Sequence, residues 1–153
     1  MRMGRTKPIS SDYIVGLTDG EGCFYVNKSN LESYTSGVRI QLHFHLKLRE
    51  CDKGILEKIK DTLDCGGVYF QKEKRLNHTQ CYRYTVASQQ DIFDKIIPFF
   101  KNNPLRTVSK QKSFELFCKI AELIKMKKHL TKEGIEKIVS LKQKMNHRTI
   151  GLA

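Results

Sequence analysis

The feature that most limits the folds open to this chain is an unbroken alternation, Val38-Arg39-Ile40-Gln41-Leu42-His43-Phe44-His45-Leu46-Lys47-Leu48. Every even position is apolar and every odd position is polar. A period of two sustained over eleven residues fits a β-strand with one dry face and one wet face, and it fits no helix. Such a strand needs a sheet around it and an apolar layer against its dry side. The flanking segments supply both. Cys23 to Lys28 reads as a shorter strand, with Phe24 and Val26 on one face and Tyr25 and Asn27 on the other. Val68 to Lys72 and Cys81 to Ala87 read as the two strands of a hairpin that follows a Cys65-Gly66-Gly67 turn.

Five helical segments complete the pattern. A first helix is expected from about Asp12 to Gly20, capped by Ser10 or Ser11. Asp52 to Leu63 is amphipathic, with Ile55, Leu56, Ile59 and Leu63 on one side. Gln89 to Phe100 reads as a short helix that Pro98 is expected to interrupt. Ser109 or Lys110 is expected to open a longer helix through Phe114, Phe117, Ala121 and Ile124, and Thr131 to cap a further one through Ile135, Ile138 and Leu141. The order opens α-β-β-α-β-β-α and closes on further helices, which predicts an α+β domain, four antiparallel strands with helices on one face. Residues 1–153 are expected to form a single domain, with 1–9 as a flexible N-terminus.

Helices on one face leave the other face open. The alternation places on it Tyr25, Asn27 and Ser29, then Arg39, Gln41, His43, His45 and Lys47, and from the hairpin Tyr69, Gln71, Arg83 and Thr85. That set contains no acid, whereas an ordinary wet face mixes Glu with Lys. Arg matches guanine O6 and N7, and Asn or Gln matches adenine N6 and N7, in the DNA major groove. The chain carries 28 Lys and Arg against 16 acids, a formal charge of +12, which points to a polyanionic partner. The same balance argues against a neutral sugar substrate. His43 and His45 share a side, but no carboxylate or Cys is expected beside them, which argues against a metal there. Five cysteines without a CxxC pair support neither a zinc site nor a disulfide framework, and suit a reducing, intracellular compartment. No apolar run is long enough to span a bilayer and no secretion signal is present, so no membrane partner is expected.

The stretch Tyr13 to Phe24 is not an ordinary amphipathic helix. Gly16 and Gly20 lie one turn apart and strip side chains from a single stripe beside Tyr13 and Leu17, so that a second backbone can approach. Asp19 and Glu21 sit where the helix stops, and Gly22 is expected to end it with a positive φ. Acids at a helix C-terminus oppose the dipole and call for a compensating cation, for which a divalent metal is the natural candidate.

Gly16-Leu17-Thr18-Asp19-Gly20-Glu21-Gly22, followed by an α-β-β-α-β-β-α unit, resembles the LAGLIDADG homing endonucleases over nearly the whole chain. Pro98-Phe99-Phe100, Pro104-Leu105, Ser109-Lys110-Gln111, and His129 to Ile135 with Met145-Asn146 also resemble that family. The resemblance implies the αββαββα homing-endonuclease fold with a saddle-shaped sheet. It implies site-specific cleavage of double-stranded DNA by metal-dependent phosphodiester hydrolysis across a minor groove, leaving short 3′ overhangs. One motif in a short chain implies a homodimer, with Tyr13, Gly16, Leu17 and Gly20 at the interface. The implied catalytic residues are Glu21, Lys110 and Asp19, of which Asp19 has the more structural character. The Glu21 carboxylate and the Gly20 carbonyl are the implied ligands of Mg²⁺, for which Mn²⁺ can substitute. Glu21 replaces the Asp of the best-known single-motif members. The place where some relatives carry a water-ordering Gln falls on Leu48, with Lys47 or Arg49 as the available substitutes.

Eleven residues at about 3.3 Å each span roughly 36 Å, or about ten base pairs, so two copies would cover about twenty of a near-palindromic site. The alternatives on the same fold are an intron-encoded maturase that binds intron RNA and a non-catalytic DNA-binding protein. The presence of both Glu21 and Lys110 favours the nuclease over the latter. The family reading implies an organelle (mitochondrion or chloroplast) or a prokaryotic cytoplasm.

Overall fold

A computed structural model describes residues 8–33, 37–75 and 79–146. The long alternating segment forms β2 (Val38–Arg49), at the centre of a four-stranded sheet. β1 (Gly22–Asn30) lies on one side of it, and β4 (Cys81–Val86) and then β3 (Gly67–Gln71) on the other. All pairs are antiparallel, and the register runs from Gly22 opposite Leu46 to Asn30 opposite Val38. A slip of one residue would turn every apolar side chain of β2 outward, so burial of one face fixes this register.

The dry face carries Phe24, Val26, Leu42, Phe44, Leu46, Tyr84 and Val86, all buried. Against it pack α1 (Ser11–Glu21), α2 (Lys53–Leu63) and α5 (Val108–Lys125), with α6 (Lys132–Asn146) outside α5. Phe24 is the hub of the core. Its ring lies 5.1–5.4 Å from those of Phe44, Phe100, Phe114 and Phe117. Full burial of one such ring stabilises by about 1.5–3 kcal/mol, and removing it leaves a cavity besides. Two buried hydroxyls are paired as burial requires: Thr18 donates to the Ile14 carbonyl at 2.7 Å and Tyr84 to the Cys65 carbonyl at 2.7 Å.

The structure departs from the sequence reading in four places. Pro98 does not interrupt its helix. α3 (Gln89–Asp91), a π turn (Ile92–Ile96) and α4 (Ile97–Asn102) run on without a gap. The wider π turn directly before Pro98 absorbs the missing N–H that would have broken a regular ladder. α5 starts one residue before the expected opening, because Thr107 takes the cap and its hydroxyl accepts from the Lys110 amide. Gly22 has φ −77° and ψ 155°, an extended conformation open to any residue. A glycine is required there for space: an added Cβ would stand 2.5 Å from Thr18 Cγ2 and 2.8 Å from the Thr18 carbonyl oxygen. At the N-terminus, Ile9 donates its amide to Thr62 Oγ1 at 3.1 Å and packs against the core. Of the stretch expected to be flexible, residues 1–7 lie outside the described residues.

Candidate catalytic centre and nucleic-acid interface

The end of α1 hands the chain directly to β1, so the acids of the motif stand at one end of the sheet's open face. Asp19 and Glu21 have different surroundings. Asp19 reaches the start of α5. Its Oδ1 accepts from the Thr107 hydroxyl at 2.9 Å and the Thr107 amide at 3.1 Å, and its Oδ2 accepts from the Arg106 amide at 3.1 Å. Desolvation pushes its carboxyl pKa up, but the Thr107 and Arg106 amides, the Thr107 hydroxyl and the Lys110 charge outweigh that, and the net effect is a pKa below the ordinary value. Asp19 therefore docks the N-terminus of α5 onto the C-terminus of α1. The docking has a consequence one turn later: Lys110 donates its ammonium to the Gly22 carbonyl, next to Glu21. In sequence these two groups stand 88 positions apart; the fold puts them together.

Glu21 is exposed at the tip of α1. Gly20 lies in the last turn, where helix carbonyls have no intrahelical donor. An exposed carboxylate beside such carbonyls is a hard oxygen donor set that suits Mg²⁺ retaining several waters. Among the described residues of one chain no group of three His, Cys, Asp or Glu forms a metal cluster. On the same helix Tyr13 is 47% exposed, and nothing lies within 4 Å of a Cβ added at Gly16 or Gly20. The glycine stripe faces outward, as a surface for helix pairing would; Leu17 beside it is half-buried against the core.

The open face carries the residues placed there by the alternation, and the register aligns them in rows. Tyr25 lies opposite His43, Asn27 opposite Gln41 and Ser29 opposite Arg39. His45 lies opposite Thr85, Lys47 opposite Arg83, and Arg83 in turn opposite Tyr69; Gln71 follows on β3. Tyr25, His43 and His45 form an aromatic group, with the two imidazoles stacked 5.5 Å apart and the tyrosine 6.0 and 6.3 Å away. Burial, then Arg83 and His43, pull the His45 pKa down to about 4. Burial and Arg39 lower that of His43. Both rings are therefore neutral at physiological pH, each with one donor and one acceptor nitrogen; the Nδ1 of His45 is already hydrogen-bonded with the Thr85 hydroxyl at 3.2 Å. Lys142 of α6 stands 5.6 Å from the centre of the Tyr25 ring, so α6 brings a cation to the β1 edge of this face.

Three expectations for this face change. It is not free of acid: Glu73, from the β3–β4 connection, ion-pairs with Lys47. A cysteine does accompany the histidines, because Cys23, the second residue of β1, lies in register with His45, although among the described residues no metal cluster is gathered there. Leu48 is turned toward the core, so at that end of β2 the open-face positions are those of Lys47 and Arg49 on either side of it. Glu73 escaped the sequence reading because it lies beyond the regular alternation of β3, in a stretch that reads only as a polar loop.

The profile of the LAGLIDADG endonucleases matches residues 14–121, which contain most of the motif helix, the whole sheet and most of α5. The chain belongs to the LAGLIDADG endonuclease family. A probable intron-encoded DNA endonuclease 1 of Mycosarcoma maydis is 34% identical over 105 residues, 69% of this chain and 35% of that protein. The homing endonuclease I-TnaI has the same fold at a TM-score of 0.81 and 29% identity, covering 95% of this chain and 94% of that one. The LAGLIDADG homing endonuclease I-LtrWI, solved bound to target DNA, matches at a TM-score of 0.84 and 34% identity, covering 95% of this chain and 47% of that one. The chain spans about a quarter to a third of the length of the curated relatives it matches. Among the described residues of this LAGLIDADG protein no helix is long and apolar enough to cross a membrane.

Proposed function

We propose that this LAGLIDADG protein is a site-specific double-strand DNA endonuclease that works as a pair of equivalent motif helices, supplied by two copies of the chain. The observation that carries the reading is the meeting of Lys110 with the α1–β1 junction beside Glu21, at the end of an open sheet face rich in Arg, Lys, His, Asn and Gln. A phosphate bound at that junction would face an ammonium group and a carboxylate that is not spent on packing. A divalent cation held by Glu21 and the Gly20 carbonyl, Mg²⁺ or Mn²⁺, would supply Lewis acidity and polarised water for phosphodiester hydrolysis. Lys110 would offset charge on the phosphate oxygens or polarise solvent. Asp19 acts as a positioning residue, because its hydrogen bonds hold the turn from which Lys110 projects.

The open face would read about ten base pairs per copy, giving a near-palindromic site of about twenty. Pairing would run along Tyr13, Gly16, Leu17 and Gly20, and an isologous contact is the commonest way to cover such a stripe. All five cysteines are free, which suits a reducing interior such as a mitochondrion, a chloroplast or a prokaryotic cytoplasm.

The deciding experiment incubates the purified protein with Mg²⁺ and a library of DNA sites. The expected result is cleavage at one long site, lost in Glu21→Gln while binding is kept, together with a dimer in sedimentation that Gly16→Leu or Gly20→Leu shifts toward monomer. Undiminished cleavage by Glu21→Gln would overturn the catalytic assignment. Binding to intron RNA with no cutting of any DNA would replace the nuclease by a maturase.

A further inference from the structure

One row of the open face is made of two carboxamides. Asn27 on β1 lies directly opposite Gln41 on β2, and its Nδ2 donates to Gln41 Oε1 at 3.4 Å. Both side chains are half-buried, and neither makes another hydrogen bond among the described residues. β4 ends at Val86, opposite Phe44, so among the described residues no third strand pairs with β2 beside this row. The two amides are therefore tied to each other and otherwise open to a ligand.

A carboxamide has two unlike ends, an acceptor oxygen and a donor nitrogen, and a solitary one can present either. The contact with Asn27 fixes the order in Gln41. Its oxygen is held toward β1, and its nitrogen takes the other side. The hydrogen bond is a long one and uses one of two lone pairs, so Oε1 keeps acceptor capacity. Gln41 thus presents one acceptor and one donor side by side, and it is longer than Asn27 by one methylene, so it reaches further into a groove. In the major groove adenine presents the N6 donor beside the N7 acceptor, and one amide satisfies both. Guanine presents two acceptors, O6 and N7, and an amide with its oxygen held in place would set oxygen against oxygen there. We propose that Gln41 is a specificity-determining residue that reads the adenine of an A·T pair, and that Asn27 is the positioning residue that keeps its amide in the order adenine requires. The inference rests on the reading of this face as a DNA-binding surface. Asn27 follows Glu21 by six residues. At about 3.3 Å per residue that is roughly 20 Å, which puts the A·T pair about six base pairs outward from the α1–β1 junction in each half-site.

The test selects bound sites from a library of randomised half-sites, using the intact protein and the variants Gln41→Ala, Gln41→Glu, Asn27→Ala and the double Ala variant. The wild type should enrich A·T at one outer position of each half-site. Gln41→Ala should relax that position roughly tenfold, as loss of one good base contact does, and leave the other positions unchanged. Asn27→Ala should relax the same position about threefold, by admitting guanine once the amide is free to turn. The double variant should relax it no further than Gln41→Ala alone, because Asn27 acts through Gln41. Gln41→Glu keeps the side chain's shape but has no N–H, so it should give up adenine and turn the position toward cytosine, whose N4 donates. That variant keeps the test valid if Gln41→Ala folds poorly by thermal melting. A uniform change of affinity with an unaltered profile, enrichment of G·C at the position that responds, or additive effects of the two Ala substitutions would overturn the proposal while leaving the nuclease reading in place. Failure of the wild-type protein to bind any duplex would overturn both.

Discussion

Replacing Gly22 by Ala should damage this protein by crowding, and the structure sets the scale. The new Cβ would lie 2.5 Å from Thr18 Cγ2, 2.8 Å from the Thr18 carbonyl oxygen and 2.9 Å from Thr18 Cα. Comfortable carbon contacts are about 3.5–4.0 Å, so the two segments must part by roughly 1 Å. Neither yields readily. Thr18 is fully buried and tied to the Ile14 carbonyl, while Gly22 is already paired with Leu46 in the sheet. Overpacking of this kind costs about 1–3 kcal/mol. Urea unfolding followed by circular dichroism measures it. Thr18→Ser removes the nearest atom but leaves the two backbone contacts. The double variant should therefore lose less than the sum of the single ones, with a coupling of about 0.5–1 kcal/mol. Because the parting moves Glu21, DNA cleavage should fall further than DNA binding. Stability of Gly22→Ala within about 0.5 kcal/mol of wild type would refute the argument. So would easy acceptance of Gly22→Asn, since Asn tolerates a left-handed turn but not a missing space.

Asp19→Asn should destabilise by about 1–2 kcal/mol at neutral pH, because charge-assisted bonds to two amides and a hydroxyl are weakened at a partly solvated site. Asp19 has a depressed folded-state pKa, so its contribution is present above the unfolded carboxylate pKa and disappears as pH falls through the folded one; a gap from wild type that persists undiminished at pH 2–3, in the same urea titration, would contradict it. His45 works with the opposite proton logic. Its folded pKa lies near 4, below the ordinary value of 6.5, so the unfolded chain takes up a proton that the folded one refuses. Stability should drop by about 1–2 kcal/mol as pH falls from 6.5 toward 4, allowing for the solvent around a half-buried ring. His45→Gln should flatten that part of the profile, and an equally steep decline in the variant would exclude His45 as the source.

The alternation from Val38 to Leu48 was enough to specify a half-buried strand, its two faces and the residues on each, because side-chain direction in a strand depends only on residue parity. The motif helix was legible for a similar reason: glycines one turn apart define a stripe whatever surrounds them, and Gly16 and Gly20 face outward. What the chain alone left undecided depends on distance through space. Local sequence could not join Asp19 to Thr107, deliver Lys110 to the Gly22 carbonyl or bring Glu73 to Lys47, since each contact is made across elements whose docking is decided by the shared aromatic core. Nor could it separate two reasons for a glycine at position 22, the freedom of a turn and the absence of room. Only the packed structure tells them apart, because φ is ordinary there and the neighbouring threonine is too close for a methyl group.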